Sequence, residues 1–241
     1  MFYKTLGVLF PVCDADKQHF QRLADELTRL GYKFAVHFDH CSPETKQFFK
    51  SHPLFLEGYE DDNPRSFFGE DSRQSALNIL AKHKFNWALS LDCDETLEKD
   101  APRKIKEIIE SDAELVKCPL IDLWGDDKHY RVDGPFSRSH REKFFRLDAG
   151  RWKYCAAVIH APKLIPERET KIVMWPMHVI HWGIMNMDDV RVHTDRWNKV
   201  YTQKVGNNPY GFYPYMNDET QKYIIRDFDY DTWKSENDDR L

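Results

Sequence analysis

Short apolar runs alternate with helical patterns through the first 110 residues, and that alternation is the constraint a fold for this chain must satisfy. Residues 6–12 (LGVLFPV), 33–39 (KFAVHFD), 54–56 and 87–91 (WALSL) read as strands. Between the first two, Phe20, Leu23, Ala24, Leu27 and Leu30 recur at helical spacing, with Asp14 or Asp16 available as a cap and Gly31 as the stop. The polar turn 40–44 leads into a helix carrying Phe48 and Phe49, and residues 72–83 form a helix burying Ala76, Leu77, Ile79 and Leu80. Asp100 is placed to cap one more helix, with Pro102 in its first turn and Ile105, Ile108 and Ile109 inside. Strands separated by helices predict an α/β fold, a parallel sheet with crossover helices forming one half of a doubly wound domain.

The second half is patterned differently. Residues 116–120, 144–147, 156–159 and 178–182 read as strands, and a helix opening at Asp188 or Asp189 runs to about Gln203. The polar and aromatic stretch 122–140 is longer than a simple connection, which in a compact domain marks function. Trp124, Trp152, Trp175, Trp182, Trp197 and Trp233 all fall after residue 120. One continuous domain with two functional halves, 1–120 and 121–241, is expected, the second ending in a helical extension.

Charge, cysteines and hydropathy exclude several classes. The net charge of −5 disfavours capture of nucleic acid by the whole surface. Cys13, Cys41, Cys93, Cys118 and Cys155 stand singly with no CxxC pair, so neither a zinc knuckle nor a disulfide framework is written, and a reducing cytoplasm is the expected location. The run Leu6–Val12 is too short for a signal segment, and no stretch reaches about 18 uncharged residues, so no transmembrane segment is expected.

The sharpest chemical signal is LSLDCDE, residues 89–95, where a buried strand runs straight into two carboxylates one residue apart. Ligands of open α/β sheets sit beyond the carboxyl ends of the strands, which is where this pair falls. Asp92 and Asp94 repel each other unless a cation lies between them, and a divalent ion with positions left for phosphate oxygens supplies that charge. The rival reading, that 92–95 merely cap the next helix, is weakened by the presence of Asp100.

With these residues the chain resembles the GT-A glycosyltransferases of family 2. The first strand ends in Pro11-Val12, the second in Asp39 before Ser42-Pro43-Glu44-Thr45, a helix contains Arg73 and Asn78, and Trp87 to Glu95 matches the DxD motif. KFFRL, with Arg146, is similar to the family's RLFR element, and His181-Trp182-Gly183 to its late His-Tyr-Gly element. The resemblance implies a Rossmann-like mixed sheet flanked by helices with a C-terminal acceptor side. It also implies transfer of a sugar from a nucleoside diphosphate sugar to an acceptor hydroxyl, with Mn²⁺ or Mg²⁺ as cofactor. Pro11, Asp39, Arg73, Asp92 and Cys93 would bind the nucleotide sugar, Asp39 near the base or ribose and Asp92 near the ribose. Asp94 would hold the metal, and His181 would be the later metal ligand or a phosphate contact. On its own residues His181 reads equally as a hydrogen-bonded core histidine. His178 is its rival, on the opposite strand face.

Arg138, Arg141, Lys143 and Arg146 read mainly as a solvated charged face, whereas Arg131 has aromatic and apolar neighbours and Asp133 beside it. A guanidinium fork suits a leaving diphosphate, so Arg131 is a catalytic candidate. In one branch of the family Val-His-Glu follows RLFR; here residues 158–161 read VIHA, with alanine in place of the glutamate. Either the enzyme retains configuration and needs no base, or the base lies elsewhere, expected in the 126–133 loop with Asp133 first, unless Asp133 only forms a turn with Gly134. Trp124, Trp152, Trp182, Tyr130 and Tyr154 are candidates for a sugar or base platform, or for core. The acceptor could be a glycan, a lipid-linked sugar or a modified nucleobase, the last mildly disfavoured by the acidic charge. Two other readings remain. A nucleotidyltransferase would need a glycine-rich loop after the first strand, and residues 11–16 contain no glycine. A non-catalytic carbohydrate-binding protein on a transferase-like fold is the third.

Overall fold

The computed structural model describes residues 5–61, 70–133, 140–147, 152–154, 164–166, 169–183 and 224–233. The strand expected at 156–159, the helix expected at 188–203, the 158–161 segment, Arg138 and Gly134 lie outside the described residues.

The expected parallel half is present. Strand β1 (Leu6–Val12) pairs in parallel with β2 (Phe34–Asp39) on one side and β4 (Trp87–Ser90) on the other, and β3 (Phe55–Asp61) extends β2. β1, β2 and β4 are largely apolar on both faces because helices cover both faces of the sheet, whereas β3 at the edge is half-buried. Helix α1 (Phe20–Leu30), α2 (Pro43–Lys50) and α4 (Ala101–Glu110) bury Phe20, Leu23, Phe49 and Ile105 in one core layer, with Val8, Phe10 and Val36 from the strands. Helix α3 (Glu70–Lys82) covers the other face through Ala76, Leu77 and Leu80. Gly7 lets Leu80 approach the sheet, since a Cβ there would lie 2.5 Å from its Cδ2. Gly31 ends α1 in the left-handed region at φ +74°, which glycine adopts without strain.

Beyond β4 the sheet turns mixed. β8 (His140–Arg146) is antiparallel to β4 and to β6 (Leu115–Asp122); β12 (Val179–His181) then runs parallel to β6, and β5 (Glu95–Leu97) antiparallel to β12. The order is β3-β2-β1-β4-β8-β6-β12-β5, with β11 (Ile172–Met174) also against β6. Two small ribbons lie apart: β7 (His129–Arg131) with β13 (Ile225–Asp227), and β9 (Trp152–Tyr154) with β10 (Leu164–Pro166). The three-residue strands carry too little sequence to show a period, which is why β5, β7, β9, β10, β11 and β13 escape the pattern analysis.

Both expected acidic caps are corrected. Residues 14–19 form a 3-10 turn ahead of α1, and Asp14 instead accepts from the Ser42 N–H and hydroxyl at 3.1 Å and the Thr45 hydroxyl at 2.7 Å, bracing the start of α2. Asp100 stands at the N-cap of α4 without a capping bond, its carboxylate drawn to Arg103 at 2.9 Å. No helix of the described residues is long and apolar enough to cross a membrane.

Candidate active site at the carboxyl edge of the sheet

The parallel strands β1, β2 and β4 all point their carboxyl ends the same way, so Pro11, Asp39, Asp92 and Cys93 fall along one edge. β6 and β12 run in that direction too, and their register places His181 level with Asp122. The sheet therefore delivers the late histidine to the DxD turn.

Three side chains converge there. His181 Nδ1 lies 2.8 Å from Asp122 Oδ1, and its Nε2 lies 3.1 Å from Asp94 Oδ2. Burial is the largest single influence on the Asp94 carboxyl and would raise it, but the charge and the hydrogen bond of His181, with the charge of His19, together outweigh it and hold it at about 2. Burial works against the imidazolium of His181, and Asp94 and Asp122 override it, holding the ring protonated well above its ordinary range. Gly183 keeps the spot open: a Cβ there would lie 2.5 Å from Asp94 Oδ2 and 2.6 Å from His181 Nε2.

Asp92 faces elsewhere, to the buried Arg73 on α3, with which it forms an ion pair. Asp92, Asp94 and Glu95 are thus all engaged at the sheet edge, and α4 starts only at Ala101, so the helix-cap reading of 92–95 does not apply. Asp39 bonds the ring of its neighbour His40 at 2.6 Å. Burial pushes the Cys93 thiol well up, with Asp16 and Asp94 adding to it, so this cysteine is a neutral wall rather than a nucleophile.

Between the two histidines the structure chooses. His178 is buried 3.5 Å from Glu98 and edge-on to Trp233, away from Asp94. His19, from the 3-10 turn, was not singled out by sequence: it is buried and feels the charges of Asp94 and His181, although burial dominates and lowers its pKa. Asp122 was seen only as the start of a long loop; its partnership with His181 depends on strand register, for which the sequence carries no direct signal.

Arg131 and Asp133 form a pair of their own. The guanidinium is fully buried, donates to both Asp133 oxygens at 2.7 and 2.8 Å, and lies over the Trp124 ring at 4.6 Å. Hydrogen bonds from Arg131 hold the Asp133 carboxyl below the usual range. Two of the cations expected on a solvated face, Lys143 and Arg146, are corrected. Lys143 is buried against Glu95, and Arg146 lies over Trp87 with a bond to the Ser111 carbonyl. Trp152 and Tyr154 pack on Phe145, and Trp124 and Tyr130 are buried, so these rings are core rather than platform. Trp182, capped by Arg22 at 4.1 Å, borders an open groove of about 510 Å³ lined also by Asp127, His129, Phe228 and Tyr230.

Among the described residues no group of three or more His, Cys, Asp or Glu gathers as a metal cage. Asp94 offers one ligand oxygen, and His181 offers Nε2 as a second once an incoming cation displaces its proton, with Asp122 orienting the imidazole as an outer partner. Such a pair fits an ion that completes its shell with substrate phosphates and water, the habit of Mg²⁺ and Mn²⁺ at nucleotide sites.

No protein-family profile matches the chain, and no curated protein matches it in sequence. Solved structures do. TarS 1-349 of S. aureus superposes with a TM-score of 0.54 at 10% identity over 84% of this chain and 73% of that one. The complex of TarS 1-349 with UDP-GlcNAc gives 0.53 at 11% identity, over 79% and 66%. Against the longer TarS chain this protein spans 40% of the length, with a TM-score of 0.51. At this identity the likeness concerns the backbone, and together with the mixed sheet it shows that the chain has a GT-A-like glycosyltransferase fold.

Proposed function

We propose that this chain is a glycosyltransferase that moves a sugar from a nucleoside diphosphate sugar to an acceptor hydroxyl with the help of Mn²⁺ or Mg²⁺. The observation that carries the reading is the Asp94–His181–Asp122 constellation at the carboxyl edge of the sheet, beside the Asp92–Arg73 pair. The fold shared with TarS 1-349, whose structures include complexes with UDP and with UDP-GlcNAc, supports a donor of that class.

In this reading Pro11, Asp39 and Cys93 line the nucleotide, and Arg73 holds the Asp92 carboxylate in place through their ion pair. Asp94, and His181 once its Nε2 proton is lost, would hold the metal, and Asp122 fixes the ring through Nδ1. A bound ion supplies charge neutralisation on the diphosphate as it departs. The groove beside Trp182 and Tyr230 receives the acceptor. Asp133, kept ionised by Arg131, is the proposed base, and Arg131 acts by holding it. The free thiols of Cys41, Cys93 and Cys118 support a reducing, cytoplasmic setting.

A thermal-shift panel of UDP-, GDP-, CDP- and dTDP-sugars, with and without MnCl₂, tests the reading, because a bound donor stabilises in proportion to its occupancy. Manganese-dependent stabilisation by one donor is expected, with slow release of free sugar from it. No response to any donor overturns the reading, and stabilisation without turnover toward any acceptor or water points to the binding protein instead.

A further inference from the structure

Behind the DxD turn lies a buried ion pair that the proposed chemistry does not use. Lys143 reaches from β8 to the carboxylate of Glu95 at the head of β5, and both side chains are about 3% exposed. The same Glu95 oxygen, Oε2, accepts the backbone N–H of Asp92 at 2.8 Å, while the Glu95 N–H donates to the Asp92 carbonyl at 3.1 Å. Residues 92–95 are therefore closed from both ends, in the reciprocal manner of a helix capping box. Glu95 is also level with His181 in the β5–β12 register, and the Trp182 N–H bonds the Asp94 carbonyl at 2.8 Å.

A buried ion pair seldom stabilises more than well-packed apolar residues of the same size, so its use is sought in geometry. Here the ammonium fixes one carboxylate oxygen where it meets the Asp92 amide. That contact sets where Asp92 turns out of β4 toward Arg73, and where Asp94 follows toward His181. A second buried pair, Lys104 with Glu98, grips the residue just past the far end of β5, with Lys104 also bonding the Pro176 carbonyl. Its partners include Asp100, the Pro176 carbonyl and His178, so it serves as a control of similar chemistry.

We infer that Glu95, held by Lys143, is a positioning residue that presents Asp92 and Asp94 to the donor nucleotide. The inference rests on the proposed donor site, and the test separates the two. In Lys143→Gln/Glu95→Gln a neutral amide pair replaces the charges and leaves an oxygen for the Asp92 N–H; in Lys143→Met/Glu95→Met the pair is apolar and that acceptor is gone. Two readouts are taken on each protein: hydrogen exchange at the Asp92 amide, and calorimetric affinity for UDP in MnCl₂. The glutamine pair is expected to keep Asp92 protected and UDP affinity near wild type. In the methionine pair Asp92 exchange accelerates and UDP affinity falls about 10- to 100-fold, the usual effect of losing an outer partner. Lys104→Met/Glu98→Met should leave both readouts unchanged. Protected Asp92 and undiminished affinity in the methionine pair overturn the inference. If the methionine pair does not fold, Glu95→Asp, which keeps the charge but withdraws it from the amide, decides in the same way. If wild-type protein binds no UDP, the nucleoside diphosphate of whichever donor the panel identifies replaces it; if none binds, the donor reading fails and Asp92 exchange alone decides whether Glu95 positions the turn.

Discussion

The Trp182 N–H donates to the Asp94 carbonyl at 2.8 Å, so the main chain of the late His-Trp-Gly element is bonded to that of the DxD turn. The indole adds a second tie, its Nε1 donating to the Thr96 hydroxyl at 2.8 Å. The Asp94–His181 distance is therefore set by backbone as well as by side chains, and a substitution nearby acts on a site with little room to relax.

Gly183 is the sharpest case. A methyl group there would sit within 2.6 Å of both Asp94 Oδ2 and His181 Nε2. Gly183→Ala should force the two apart, destabilise the fold by about 1–3 kcal/mol as overpacking does, and remove the manganese-dependent stabilisation by UDP. Thermal shift with UDP, with and without MnCl₂, checks this, and an unaltered manganese response would contradict it.

Asp94 and Asp122 should separate ligand from outer partner. Asp94→Asn is expected to abolish metal-dependent nucleotide binding while the protein stays folded. Asp122→Asn, which leaves Nε2 in place but loosens the ring, should weaken manganese affinity about 10- to 100-fold. Calorimetric titration of Mn²⁺ in the presence of UDP distinguishes the two, and equal losses would remove the division of roles.

Asp133 tests the base. Asp133→Asn removes the carboxylate that the buried Arg131 grips at both oxygens, at a cost of at most about 3–5 kcal/mol, and transfer to acceptor should collapse while UDP–Mn²⁺ affinity is kept. The anomeric configuration of the product is read in the same assay. A retained anomer, or near wild-type turnover by the folded variant, rules out Asp133 as base.

The α2–β3 contact should respond to acid. Hydrogen bonds from Lys50 and Lys46 hold the Glu60 carboxyl at about 2, below its ordinary 4.5. A carboxyl lowered on folding contributes stability in full above pH 4.5 and loses it as pH falls toward 2. The group is largely exposed, so the contribution is at most about 1 kcal/mol. Chemical denaturation at pH 6 and pH 2.5 should show Glu60→Gln less stable than wild type at the first and indistinguishable at the second.

The parallel half was legible because its strands are covered on both faces and so appear as unbroken apolar runs, while α1 repeats Phe20, Leu23, Leu27 and Leu30 on one side. The same logic exposed the DxD turn, since a buried run ending in Asp92 and Asp94 can only be a strand meeting solvent at its carboxyl end. Local chemistry misled where partners are distant in sequence. Asp14 has the look of a cap for the next helix, yet Ser42 and Thr45 reach it first. Lys143 sits among basic residues that suggest an exposed face, yet β8 lies inside the sheet between β4 and β6 and turns the lysine toward Glu95. Sequence alone thus determined the layered α/β half and the carboxylates at its edge, because periodicity and burial are written locally. Only the tertiary structure decided that His181 rather than His178 meets Asp94, that Asp122 orients it and that Glu95 closes the turn, because these follow from the registers of β5, β6 and β12, and register is a property of paired strands.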